Sequence, residues 1–285
     1  MLRDPVADAA LAADGYVVID LLDLEEVALL RDAWAAIDGR DAVGWDPTGL
    51  ATTVRHEGPD LAADDAILPV VRTPLEAILD HGAPFMSAYV VKKAGSDALP
   101  AHIDWSLVDE REDRTYGCWI ALEAITEPNG VLGVVPGSHL LVGFDRTPSA
   151  PGHEWVADLV ASGIDTVDLP TTPGQAVFYD HRLVHFSAPN TTDRPRLAVN
   201  IGIATAGRTE AVRSRLLAFM REGASHQIDP STAAAGAERS PDPGTDAVIE
   251  PPTTDDPARG ADDAGPVAAA RPAHRARHRL ALLVE

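Results

Sequence analysis

The stretch "AHIDWS" (101–106) sets an imidazole and a carboxylate two residues apart, at His102 and Asp104. On a β-strand, residues i and i+2 point to the same face. Both side chains can therefore reach one point while Ile103 turns away. One imidazole and one carboxylate make two thirds of the facial triad that holds non-haem Fe(II) with positions left open. The H-x-D pattern is common by chance, so the pair needs a third ligand from elsewhere in the chain and a reason for a metal.

"DHRLVHFSAPNTTDRPRLAVNIGI" (180–203) offers that ligand twice, as His181 and His185. His185 lies in the better strand context, and Ser187 follows it on the same face. Arg196 comes eleven residues later, on what the pattern predicts to be the next strand of a hairpin. The intervening "APNTTDRP" is rich in turn formers. A guanidinium there can meet a carboxylate with two parallel hydrogen bonds. A metal with open positions beside a fixed arginine suits a dicarboxylate co-substrate.

The elements that must position these residues can be read from periodicity. "PVADAALAADGYVVID" reads as a short helix, a glycine and a strand. "DLEEVALLRDAWAAI" has helical apolar spacing with Asp23 as N-cap, and residues 74–81 read as another short helix. Then the pattern changes. "SAYVVKKAG", "YGCWIALEAI", "GVLGVVPGSH", "QAVFYDHRLVHFSAP" and "RLAVNIGIAT" are short β-branched or aromatic runs between turn formers. Helices first and strands later predict a mainly β protein, a double-stranded β-helix (jelly-roll or cupin-like core) with helices packed outside.

Taken in order, "AHIDWS", "NGVLGVVPGSH" (129–139) and "HFSAPNTTDRPR" (185–196) resemble the phytanoyl-CoA dioxygenase family of Fe(II)/2-oxoglutarate-dependent oxygenases. "DGYVVIDLLDLEEVALLRDAW" is similar to that family's opening strand and helix, and "KKAG" (92–95) resembles its K-P-G with alanine for proline. The resemblance covers about residues 10–205. It implies His102, Asp104 and His185 as ligands of Fe(II), with 2-oxoglutarate and O2 as co-substrates. It implies Arg196 on the distal carboxylate of 2-oxoglutarate, helped by Ser187, with Trp119 close by. The implied reaction is hydroxylation or another oxidation. Related halogenases have a small residue where this chain has Asp104, so halogenation is not expected.

Other residues carry weaker readings. Lys93 either lines the pocket or snorkels to solvent. Trp105 either lines the substrate side or fills core. Asn129-Gly130 suits a tight hairpin turn, and His139 reads as a hydrogen-bonded structural histidine. "DEREDR" (109–114) reads as a solvated loop that could act as a lid, Cys118 as core, and His153 and Trp155 as parts of a surface insertion.

Composition bounds the rest. The net charge of −21, from 44 acidic and 23 basic residues, argues against nucleic acid or an anionic membrane as partner. It also leans against a CoA thioester and towards a small or apolar natural product, or an amino acid derivative, as substrate. The single cysteine, an N-terminus without a signal-peptide pattern and the lack of a long apolar run lead to the expectation of a cytoplasmic protein. Residues 1–221 hold every aromatic residue. Residues 222–285 form a Pro-, Ala- and Asp-rich tail, of which 223–270 read as disordered because they cannot offset their ordering entropy, while the final "RPAHRARHRLALLVE" reads as either a short docking element or a frayed end. Two rival readings remain open: a cupin-type metalloenzyme that uses no 2-oxoglutarate, and a jelly-roll binding protein without catalysis. Oligomeric state has no signal in the sequence.

Overall fold

The computed structural model describes residues 1–37, 44–45, 50–52, 54–55, 58–59, 61–142 and 154–225. The chain divides into two units, Met1–His226 and Gln227–Glu285, and all the described residues belong to the first.

Helix α1 (Pro5–Asp14) starts where Asp4 accepts a hydrogen bond from the Val6 amide and proline takes the first helical position. It stops at Gly15, whose φ of 83° reverses the chain into β1 (Tyr16–Asp20). Helix α2 (Leu24–Ala36) opens on a reciprocal capping box between Asp23 and Glu26. Helix α3 (Leu61–Ile78) is longer and begins earlier than the 74–81 read from sequence. Pro69 and Pro74 lie within it and remove two amide donors. Its fully buried Ala63, Ile67, Val71 and Leu75, four residues apart, form a stripe that outweighs this interruption.

The strands form two facing antiparallel layers. β6 (Gly82–Lys92), β8 (Thr115–Ala121), β11 (Gln175–Asp180) and β13 (Arg196–Thr205) belong to a seven-stranded sheet with β1, β2 (Gly44–Trp45) and β3 (Leu50–Thr52). Its order is β1-β11-β8-β13-β6-β3-β2. β7 (Leu99–His102), β9 (Leu132–Val134), β10 (Val167–Leu169) and β12 (His185–Ser187) form a four-stranded sheet, β10-β9-β12-β7. A small pair, β4 (Val54–Arg55) and β5 (Gly58–Pro59), stands apart. This is the expected mainly β architecture with flanking helices, a jelly roll.

The period-two alternation of the large sheet divides two cores. Cys118, Ile120, Phe178, Val199 and Ile201 pack outward against Leu30, Ile67, Val71 and Leu75 of the helices. Trp119, Ala121, Val177, Tyr179 and Ala198 point the other way and meet Leu132, Val134 and Leu169 of the small sheet. The second face is the inside of the jelly roll.

Three expectations change. The run "QAVFYDHRLVHFSAP" is not one strand, since β11 and β12 lie in different sheets. β12 and β13 do not form a hairpin: β12 pairs with β7 and β9, while β13 pairs with β6 and β8. "APNTTDRP" is therefore a crossover between layers, braced by Asn190, whose Nδ2 donates to the Lys92 and Arg194 carbonyls. Asn129-Gly130 likewise lies between strands of different sheets, β8 and β9, and not in a hairpin.

Helix α4 (Glu154–Ala161) occupies part of the stretch read as an insertion, and Trp155 packs there against the cluster of Ile103, Val135 and Val184. His153 lies outside the described residues. Helix α5 (Thr209–Ser225) continues past the boundary expected at 221; the rest of the expected tail lies outside the described residues. Among the described residues no helix is long and apolar enough to cross a membrane.

Candidate metal centre

His102 and His185 are register partners across the β7–β12 pair, with ring centroids 4.2 Å apart. β7 ends at His102, so Asp104 lies just beyond the strand. Its backbone amide donates to the His181 carbonyl at 2.9 Å, which fixes where the carboxylate starts. The donor atoms of His102, Asp104 and His185 all lie within 4.8 Å of one another, and Asp104 Oδ1 is 3.9 Å from His185 Nε2.

Both imidazoles are oriented in the same way. His102 Nδ1 sits 2.8 Å from the Pro100 carbonyl, and His185 Nδ1 sits 2.9 Å from the Leu183 carbonyl. A carbonyl only accepts, so each Nδ1 carries a proton and Nε2 is the nitrogen left to face the site. Metal-binding histidines characteristically donate their other ring nitrogen in this manner.

Charge supports the same use. Enclosure of the ring, then the neighbouring His185, brings the His102 pKa down to about 4. His102 is therefore neutral, as a ligand must be. Burial alone would raise Asp104, but His185, His181, His102 and the Tyr179 hydroxyl outweigh it and hold the carboxyl at about 2. Two imidazoles and one carboxylate are a donor set suited to non-haem Fe(II).

A second cluster lies inside the jelly roll. Arg196, 2% exposed, donates through Nη1 to the Gly130 carbonyl at 2.8 Å. Its Nε has no hydrogen-bond partner. The guanidinium carbon stands 5.0 Å from the centroid of the Trp119 ring, a cation–π contact worth about 2 kcal/mol when desolvated. Burial lowers the Arg196 pKa to about 10, with Glu123 opposing, so it remains a cation at neutral pH. Lys92, fully buried, sends Nζ to the Asp97 carbonyl at 2.8 Å and to Ser187 Oγ at 3.2 Å. Ser187 is on the same short strand as His185, and so ties this cluster to the metal centre.

The sequence-derived residues fall into three groups. His102, Asp104 and His185 converge. Arg196, Ser187 and Trp119 line the adjoining interior. Lys93 does not join them: it is exposed, and strand alternation sends its neighbour Lys92 inward instead. His181 lies beside the triad, not in it; its Nδ1 is 2.9 Å from Thr115 Oγ1 and its Nε2 3.8 Å from Asp104 Oδ2. Trp105 is 46% exposed and meets the edge of Phe219 on α5, and so fills no core. In the "DEREDR" loop Glu110 is buried and Asp113 accepts from Thr205, which anchors a segment read as solvated. His139 is buried with Nε2 3.2 Å from the Ala12 carbonyl, and Cys118 is core.

Three contributors had no clear sequence signal. Tyr179 donates to Asp104 Oδ2 at 2.9 Å. Lys92 was distinguishable from Lys93 only through strand phase. Gly130 was legible as a turn, yet its carbonyl receives Arg196, and a Cβ there would come 2.6 Å from Lys92 Cδ.

Comparison with known proteins gives a consistent picture. A family profile described as phytanoyl-CoA dioxygenase matches residues 11–198. The Bos taurus phytanoyl-CoA dioxygenase domain-containing protein 1 is 33% identical over 132 residues, 43% of this chain and 45% of that protein. The chain thus matches about half the length of this curated relative. Among solved structures, the non-haem alpha-ketoglutarate-dependent epimerase SnoN from nogalamycin biosynthesis superposes with a TM-score of 0.53 at 23% identity, over 70% of this chain and 82% of that one. EctD from S. alaskensis, crystallised with 2-oxoglutarate and 5-hydroxyectoine, gives 0.51 at 26% identity over 71% and 76%.

Proposed function

The chain belongs to the phytanoyl-CoA dioxygenase family, and from that premise we propose that it is an Fe(II)- and 2-oxoglutarate-dependent oxygenase that hydroxylates or otherwise oxidises a small molecule. The observation that carries this is the pairing of a convergent His-Asp-His donor set with a buried arginine whose Nε is left without a partner. A buried guanidinium is costly unless something anionic meets it. A dicarboxylate spanning metal and arginine would do so.

His102 and His185 would hold Fe(II) through Nε2 and Asp104 through its carboxylate. With iron and 2-oxoglutarate in place, the centre would supply oxygen activation coupled to decarboxylation of the co-substrate, and so the power to oxidise a C–H bond. The protein's own work is positioning. Arg196 would take the distal carboxylate, with Ser187 donating to the same group. Lys92, which already reaches Ser187, would add a second basic group at that end of the pocket. Trp119 would wall the co-substrate while holding the guanidinium plane. Leu132, Val134 and Val177 exclude water from the interior, which strengthens every charge–charge interaction there.

Asp104 fills the position that a halide would need, so C–H oxidation is the proposed outcome and not halogenation. The acidic net charge favours a small or apolar natural product, or an amino acid derivative, over a CoA thioester. We place this activity in the cytoplasm.

The test is anaerobic addition of Fe(II) and 2-oxoglutarate. Appearance of the weak visible metal-to-ligand charge-transfer band, and its loss in His102→Ala and in Arg196→Ala, is the expected result. Iron binding without the band would replace this reading with a cupin enzyme that uses no 2-oxoglutarate. Absence of iron binding would leave a binding protein.

A further inference from the structure

Asp104 presents its two carboxylate oxygens to different surroundings. Oδ1 faces His185 Nε2 at 3.9 Å. Oδ2 accepts a hydrogen bond from Tyr179 at 2.9 Å and stands 3.8 Å from His181 Nε2. The Tyr179 ring is itself wedged in place, 4.9 Å from His185 and 6.0 Å from His181 by ring centroids. Space for it is made by Gly117, its register partner on β8, where a Cβ would come 2.2 Å from Tyr179 Cζ. Tyr179 is 6% exposed, so its hydroxyl is a fixed donor in a dry setting.

The coordination count gives this asymmetry a consequence. A six-coordinate metal held by two imidazoles and one carboxylate oxygen keeps three positions open. A carboxylate that engages through both oxygens closes one of them. A chelating keto acid needs two positions, so only the one-oxygen arrangement leaves a third for oxygen. Nothing in a bare aspartate enforces that choice.

We propose that Tyr179 is a positioning residue: by donating to Asp104 Oδ2 it keeps that oxygen off the metal, so that Asp104 binds through Oδ1 alone. The inference rests on the oxygenase reading above. Gly117 serves the same end by clearing room for the ring. Tyr179 acts through Asp104 and does not need to touch substrate.

Tyr179→Phe removes one oxygen atom and keeps the ring. Under anaerobic conditions, Fe(II) alone is titrated into wild type and variant, 2-oxoglutarate is then added, and the charge-transfer band is recorded with the melting temperature as a control. The expected result is a melting temperature close to wild type, Fe(II) affinity about 10- to 100-fold weaker, the usual cost of losing such an outer partner, and a shifted or weakened band. Gly117→Ala, which displaces the ring but leaves the hydroxyl, should give the same signature and serves if the phenylalanine variant folds poorly. A Tyr179→Phe protein with wild-type iron affinity and an unchanged band overturns the proposal while leaving the oxygenase reading intact. Wild-type protein that shows no band sinks both.

Discussion

Lys92 and Arg196 are register partners across β6 and β13, and both side chains are buried inside the jelly roll, at 0% and 2% exposure. Directly paired strand residues lie on the same face, so these two basic side chains share one wall of the interior. They also meet the same glycine, since Gly130 accepts from Arg196 and leaves room for the Lys92 stem.

That pairing separates two adjacent lysines. Lys92→Met should raise the KM for 2-oxoglutarate by about 30-fold or more, since loss of a buried charged contact costs roughly 2–5 kcal/mol. Lys93→Met changes an exposed residue and should stay within about 0.5 kcal/mol of wild type in stability and leave KM unchanged. Steady-state succinate release against co-substrate concentration checks both. Equal effects would mean that Lys92 is only a structural cation.

Arg196 should reveal its role through stability. Without co-substrate, the burial cost of a guanidinium with an unpartnered Nε offsets its Gly130 hydrogen bond and Trp119 contact, so Arg196→Met should melt close to the wild-type temperature. Adding 2-oxoglutarate with a non-oxidisable metal should stabilise the folded wild type by about 2.7 kcal/mol at a hundredfold excess over Kd and so raise its melting temperature. The variant should not respond. Thermal shift assays read both arms, and a co-substrate response retained in Arg196→Met would remove the arginine from the pocket.

The centre also imposes a pH dependence on the metal-free fold. His102 has a folded pKa of about 4 against an ordinary 6.5. The unfolded chain therefore binds its proton first as the pH falls. The His102 contribution is fully present above 6.5 and is lost progressively as the pH drops towards 4. Asp104, held at about 2 against 3.8, keeps its contribution down to the ordinary carboxyl range and loses it only as the pH falls through about 2. Urea midpoints at pH 7 and pH 5 should therefore fall more in metal-free wild type than in His102→Gln. Equal falls in the two proteins would contradict the assignment.

His181 offers a contrast with the ligands. It contacts Thr115 and faces Asp104 Oδ2, but its donor atoms are not among the convergent three. His181→Gln should weaken Fe(II) by no more than about 10- to 100-fold, as expected of an outer partner. His185→Gln should abolish binding under the same anaerobic titration. Complete loss of metal in His181→Gln would return it to the ligand set.

Much of this was legible before any fold was known. The H-x-D pair, the distant histidine and the serine and arginine that follow it at fixed offsets are local patterns. So is the change from helical to alternating apolar spacing, and so are the Asp23–Glu26 capping box and the glycine that ends α1. Each depends on residues close together in the chain, where backbone geometry alone dictates which side chains share a face.

What the chain could not disclose were the relations set by strand pairing. Whether β12 continues into a hairpin or crosses to the other sheet depends on which edges are free, and that is decided by all the strands together. The crossover is what puts Arg196 opposite Lys92 instead of beside Ser187 on a neighbouring strand. The phase of β6 sends Lys92 inward and Lys93 out, and a shift of one residue would have reversed them. Tyr179 is an ordinary apolar-run tyrosine in the sequence, and becomes the partner of Asp104 only because β11 lies over the end of β7 with Gly117 beneath its ring. The amino-acid sequence by itself determined which groups could bind a metal and a dicarboxylate. The tertiary structure decided which cation faces inward and which hydroxyl holds the carboxylate, because side-chain direction in a sheet follows from register, and register is a property of the whole fold.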